Sequence, residues 1–280
     1  MKKILSVILA AFFTVAVLGA QTVFAQQGQW GGFIYLFAKD GAALSDAQKE
    51  KAASALREDM AQFHNDFTPA KDKLETILFL KSERYDLNGA PVSGRTPRAI
   101  IRIESLNRAK VDGFYAKVSS TLKDFYDFEY RLSVGRELNY TDKATLARLK
   151  EMAPKRGDGN AQPNGVVFPL SKTAAWWAMP TGDRQPYFFE NPQSFGDKHL
   201  GHNGVGFLYI QKIFRKLYHS RFDDAQQDFM TYFEYADADA PVFDSLLNGL
   251  RDKTKNQEWK FVEENPIAWC KRKPALQDIL

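Results

Sequence analysis

The stretches "IFRKLYHSRF" (213–222) and "DFMTYFEYAD" (228–237) alternate residue by residue and are separated by a polar turn. A period of two is the signature of a β-strand, and two such runs across a short link read as paired strands. In the first, Ile213, Arg215 and Leu217 share one face, and Phe214, Lys216 and Tyr218 share the other. In the second, Phe229, Thr231, Phe233 and Tyr235 fall together. Arg215 is therefore a cation planted between aliphatic neighbours, on a face that is otherwise apolar with a single threonine hydroxyl.

Around this pair the elements order themselves. Upstream are a strand, "VVFPLSK" (166–172), and a helical start, "TAAWWAM" (173–179). A polar, aromatic insertion, "PTGDRQPYFFENPQSFGD" (180–197), and a helix-like run, "GVGFLYIQK" (204–212), follow. Downstream, "APVFDSLLNGLRDKTKN" (240–256) reads as a helix and "EWKFVEENPIAW" (258–269) as a closing strand. The order is β-α-β-β-α-β.

The first half repeats it. "GGFIYLFAKD" (31–40) is a strand, and "SDAQKEKAASALREDMAQFHN" (45–65) is a helix capped by Ser45. "KLETILFLKS" (73–82) and "RAIIRIESL" (98–106) are strands, "RAKVDGFYAKVSSTLKDFYDF" (108–128) a helix, and "YRLSVGREL" (130–138) a strand. Gly, Pro and Asn crowd "PKRGDGNAQPNG" (154–165), the expected linker between halves at 26–153 and 166–280. Two such repeats make an α+β protein of ferredoxin-like halves. Each would bury one sheet face under helices, and the second face calls for face-to-face packing or closure into an eight-stranded core.

Residues 1–25 carry a basic start, an apolar run and small residues before Gln26, the pattern of a cleaved export signal. The expectation is an exported, periplasmic protein with no membrane segment once the signal is removed. Without Lys2 and Lys3 the formal charge falls from +4 to +2, too little to argue for nucleic acid or an anionic membrane. The lone cysteine, Cys270, excludes an internal disulfide, and no CxxCH motif is present for covalent haem. The 22 phenylalanines suit a large core or an apolar pocket.

Arg215 either snorkels to the sheet edge or pairs with a carboxylate, or it presents its guanidinium to an anion at the rim or floor of an apolar cavity; buried without a partner it would cost several kcal/mol. Of the four histidines, His64 reads as late in a solvated helix and His219 ends the Arg215 strand. His199 and His202, three apart in "DKHLGHNG" (197–204), lack the further ligands a zinc site requires. Glu258 is either a solvated carboxylate or an acceptor for a ligand histidine's second nitrogen. Trp176 and Trp177 point about 100° apart on a helix, so one can face a core and the other a cavity.

Together, "AAWWAM", "RKLYHS", "DFMTYFEYA" and "LRDKTKNQEWKFVE" follow one another in an order that resembles the chlorite dismutase family, a group of haem b proteins. The resemblance covers most of residues 165–265 and implies a dimeric α+β barrel formed by the two ferredoxin-like repeats. In the family the iron-binding histidine lies thirteen residues before the arginine of the "RKLYH" strand, which implies His202 here. It also implies Arg215 over the opposite face of the haem, with Leu217, Thr231 and Phe233 lining that side and Glu258 bonding the ligand histidine. Trp176, Trp177 and Tyr140 match positions near the haem propionates. The insertion 180–197 is longer than in other members, and "HNGVGF" lacks the threonine and proline that often follow the ligand.

The activity implied is conversion of chlorite to chloride and dioxygen, by a homo-oligomer, pentamer or dimer, carrying one non-covalent haem b per subunit. The alternatives are a non-catalytic haem-binding or sensor protein and a weak haem peroxidase of the same fold.

Overall fold

The computed structural model describes residues 28–65, 74–135, 144, 147, 151, 159–209, 211–224 and 226–280. The expected signal (1–25), Tyr140 and residues 154–158 of the expected linker lie outside the described residues.

Strand β1 (Trp30–Ala38) leads to α1 (Asp46–Ala55), β2 (Thr76–Leu87), β3 (Ala99–Ser105), α2 (Arg108–Leu122) and β4 (Tyr126–Val134). The second half runs β5 (Asn164–Lys172), α3 (Ala174–Ala178), α4 (Gly201–Phe207), β6 (Phe214–His219), β7 (Phe229–Tyr235), α5 (Ala240–Arg251) and β8 (Ile267–Lys273). The halves order their strands alike, β2-β3-β1-β4 and β8-β5-β7-β6, which is the ferredoxin-like arrangement twice. All these pairings are antiparallel, and β5–β7 pairing inside the second half joins a path that runs β5-β8-β2-β3-β1-β4-β6-β7. Among the described residues the sheet therefore closes into an eight-stranded barrel.

The two joints between halves differ. β2 and β8 pair from Phe79 opposite Lys273 to Asp86 opposite Ile267. β4 and β6 share one rung, Val134 opposite His219. Side chains complete this narrow seam: the Leu132 amide donates to Asp224 at 3.1 Å, Arg131 to Gln227 at 3.0 Å, and Lys216 to Gln29 at 2.7 Å. Gly31 allows the approach, because a Cβ there would lie 2.8 Å from the Tyr218 ring.

Closure explains why β1 is buried along almost its whole length. Phe33, Tyr35 and Phe37 point into the barrel with Leu78, Leu80, Ile100, Val167, Tyr218 and Tyr232. The interior is not purely apolar: Arg102 pairs with Glu104 at 2.8 Å, and Glu104 also accepts from Tyr218 at 2.5 Å and Thr76 at 2.9 Å. Such pairing is what allows charges to sit there. Outside, Ile34, Leu36, Ile101 and Ile103 meet the stripe Val111, Phe114, Val118 and Leu122 of α2, and Leu276, Ile279 and Leu280 return to this same first-half core. On the second half, α5 lays Phe243, Leu246, Leu247 and Leu250 against Val166, Phe168, Phe233 and Tyr235. Each such side chain contributes about 2 kcal/mol of burial.

Three sequence expectations change. His64 is not helical but pairs with Thr76 in a two-residue strand, since the first helix stops at Ala55 and only one further turn (Arg57–Met60) follows. The run 258–269 is not one strand. Gln257–Phe261 coil as a 3-10 turn, Val262–Glu264 pair with β5, and β8 starts only after Pro266, which has no amide to give a ladder. His202 belongs to the first turn of α4 rather than to a segment before a helix. The Ser45 cap is present, closed as a capping box with Gln48.

Candidate functional site

On the outer face of the second-half sheet, Arg215 stands opposite Phe233 and Leu217 opposite Thr231. The period of two thus gathers Arg215, Leu217, Thr231 and Phe233 on one surface, outside the barrel and on the side covered by α5 and the 3-10 turn. Thr231 and Phe233 are buried, and Leu217 is half-buried.

Arg215 combines two properties. Its residue surface is exposed, yet enough protein crowds the guanidinium for burial to lower its pKa, opposed by the Glu258 carboxylate. Among the described residues it makes no hydrogen bond and no ion pair. A cation on an apolar wall, with no protein group hydrogen-bonded to it, is an anion-binding element.

His202 arrives from the helix side. Gly201, immediately before it, has φ +73°, and a Cβ there would lie 2.4 Å from the Phe189 amide nitrogen. Only glycine accepts both the left-handed backbone and that approach. The amides of Leu200 and Gly201 both donate to the Lys255 carbonyl, at 2.9 and 3.0 Å. Asn256, fully buried, donates to the Leu250 carbonyl at 2.9 Å. These bonds tie the start of α4 to the loop after α5, and Glu258 lies in the turn that this loop enters.

As a result, Glu258 Oε2 is 2.6 Å from His202 Nδ1, and its Oε1 accepts from Lys172 Nζ at 2.5 Å. Burial alone would raise the Glu258 carboxyl, but His202 and Lys172 outweigh it and hold the group well below the usual carboxylate range. The carboxylate is ionised, so the proton between it and His202 belongs to Nδ1, and the Nε2 lone pair is left available. Nε2 has no partner among the described residues, and the side chain is 17% exposed. Lys172 is a member of this set that sequence reading missed. At the end of "VVFPLSK" it looks like a solvated strand terminus.

The other candidates are placed as follows. His199 is 1% exposed, with its ring 4.6 Å from that of Phe195, and burial lowers its pKa against the Pro186 and Phe189 carbonyls. Trp176 is 1% exposed among Tyr187, Phe188 and Phe261, with Lys172 Nζ 4.7 Å from its ring. Trp177 donates its indole N–H to Asp228 at 2.8 Å and lies under the Arg221 guanidinium at 3.7 Å. His219 shares the Arg215 face and packs on Phe229. Among the described residues no three His, Cys, Asp or Glu side chains gather into a metal site. One imidazole can serve as an axial ligand only to a metal that brings its other ligands with it.

No family model matches the sequence. Solved structures do. An arginine-to-lysine variant of chlorite dismutase from Candidatus Nitrospira defluvii covers 91% of this chain and 94% of its own, at 17% identity and a TM-score of 0.66. The chlorite dismutase of the same organism in complex with imidazole gives 17% identity and 0.65 over the same shares, 91% and 94%. A tryptophan-to-phenylalanine variant in complex with cyanide gives 19% and 0.63, again over 91% and 94%. At such identities the likeness is one of fold: this chain has the fold of the chlorite dismutases.

Proposed function

We propose that the protein is a haem b-dependent chlorite dismutase, exported and self-associating, that converts chlorite to chloride and dioxygen. The observation that carries the proposal is the pairing of an imidazole whose Nδ1 is held by a buried carboxylate with an unpartnered guanidinium on an apolar face. The residues fit the group. His202 would offer Nε2 as the one protein ligand, which suits a metal already held by a macrocycle, and Leu217 and Phe233 would supply the apolar wall that a porphyrin requires. The imidazole and cyanide complexes of the fold relatives are in keeping with this, since both molecules are ligands that iron takes.

Haem b, when bound, would supply the redox-active iron for the oxygen chemistry of chlorite. The protein's own part follows from its charges. Arg215 would draw chlorite to this apolar face and orient it by charge-assisted hydrogen bonds, which are about twice as strong as neutral ones. The same guanidinium would hold the anionic chloride product close to the site until it leaves. Leu217 and Phe233 exclude water from that space. Glu258 keeps the proton on Nδ1 and makes the imidazole more electron-rich. One chlorite yields one chloride and one dioxygen with no proton consumed, so no acid–base residue is required.

The test is an oxygen-electrode trace on haem-loaded protein given chlorite, beside the His202→Ala variant. Oxygen release by the parent, and no Soret band in the variant, are expected. A parent that takes up haem but releases no oxygen would be a binding or sensing protein; a parent that stays colourless with haemin sinks the proposal altogether.

A further inference from the structure

The insertion 180–197 meets the His202 ring through the Phe188 side chain. Phe188 ends the 3-10 turn Gln185–Phe188, is 6% exposed, and meets the His202 ring at 5.9 Å between centroids with 61° between the planes. Trp176 backs it at 6.0 Å, and is itself wedged by Tyr187 at 5.6 Å and Phe261 at 5.6 Å. Backbone contact reinforces the side-chain contact, because the Gly201 Cα abuts the Phe188 carbonyl so closely that a Cβ would lie 2.5 Å from its carbon. Phe188 is therefore not a loose cover but the tip of a braced wedge.

The 2.6 Å contact between Nδ1 and Glu258 Oε2 fixes which nitrogen of His202 faces the carboxylate. It does not fix the plane of the ring, which remains free to tilt about the N···O line to Glu258. A bulky ring packed crosswise on the flank removes that freedom, since edge-to-face pairs have a preferred geometry. We infer that Phe188 is a positioning residue for His202: it sets the orientation of the imidazole plane and thereby the direction of the axial bond that Nε2 makes. This rests on the reading of His202 as the iron's ligand, but its physical content, a locked ring, holds for the haem-free protein as well.

The test uses Phe188→Ala, Phe188→Leu and Phe188→Tyr in the full chain, with folding checked by circular dichroism. In haem-free protein, the ring carbon–proton resonance of His202, assigned by its loss in His202→Ala, is sharp in the parent. It broadens or splits in the Ala and Leu variants and sharpens again in Tyr. In haem-loaded protein, the ferric electron paramagnetic resonance signal and the ferrous iron–histidine stretching band shift in Ala and Leu and return in Tyr. Haem loss to an acceptor protein quickens roughly tenfold, the lower end of what disturbing a ligand's supports costs. Should Ala destabilise the fold, Leu carries the comparison. Folded Ala and Leu variants with the parent's His202 resonance overturn the inference even if haem binds. A resonance that broadens as expected in a protein that never takes up haem upholds the locked ring and overturns only the cofactor.

Discussion

Glu258 lies between a histidine and a lysine, with Oε2 2.6 Å from His202 Nδ1 and Oε1 2.5 Å from Lys172 Nζ. The side chains of Glu258 and Lys172 are 4% and 5% exposed, so the pair is out of water. Removing one partner of a buried pair strands the other charge, at a cost of about 3–5 kcal/mol. Glu258→Gln should lower the unfolding free energy of the haem-free protein, measured by urea titration, by that order, and weaken haem uptake by roughly 10–100-fold. A variant that unfolds and binds haem as the parent does would remove the triad from both roles.

Arg215 presents a charge without a protein partner among the described residues. Hydrogen bonds to charged groups are worth about 1.5–3 kcal/mol, or roughly 10–150-fold in affinity. Arg215→Ala should keep haem, bind chlorite more weakly by that factor, and bleach faster as hypochlorite leaks. Arg215→Lys keeps the charge but not the fork, so it should fall between the two. The checks are oxygen-electrode kinetics and the lifetime of the Soret band. Equal kinetics and lifetime in Ala and parent would deny Arg215 a part.

Phe243 stands behind Phe233. It is fully buried, with ring centroids 5.1 Å from Phe233, 4.7 Å from Tyr235 and 5.5 Å from Trp269. Phe243→Ala empties that space and should destabilise by about 3–5 kcal/mol in chemical denaturation. The adjacent wall should loosen with it, so haem is expected to leave faster than from the parent. A loss under about 1 kcal/mol would mean that α5 is not packed on this sheet as described.

Tyr235 gives the fold a pH dependence. Burial pushes its hydroxyl up to about 12 from an ordinary 10.0. A raised value means that the folded state favours the protonated phenol. Its stabilising contribution is complete below pH 10 and is lost as the pH climbs toward 12. Tyr235→Phe should therefore lose less stability than the parent between those values, measured as urea midpoints at pH 9 and pH 12. Parallel losses would show that the phenol titrates alike in both states.

What could be read from the letters followed from period. Alternation assigned Arg215, Leu217, Thr231 and Phe233 to one face, because neighbouring strand residues must point oppositely. The repeated order of elements announced two ferredoxin-like halves. Closure into a barrel is a property of pairing between distant strands, and nothing in a single strand reports its neighbour. Lys172 was illegible for the same reason: only the fold brings a strand end against a turn 86 residues later. The wedge at Phe188 lies in an aromatic stretch with no periodicity, and the "EWKF" turn was masked by the strand-like residues after it.

Leu276, Ile279 and Leu280 belong to the core of the first repeat, where the turn Leu276–Asp278 meets the helix Asp46–Ala55. During synthesis the amino-terminal repeat leaves the ribosome well before those three residues exist. It waits with part of its greasy underside uncovered. A nascent chain that delays consolidation in this way stays threadable for longer, and it also stays dependent for longer on whatever keeps it from sticking to its neighbours.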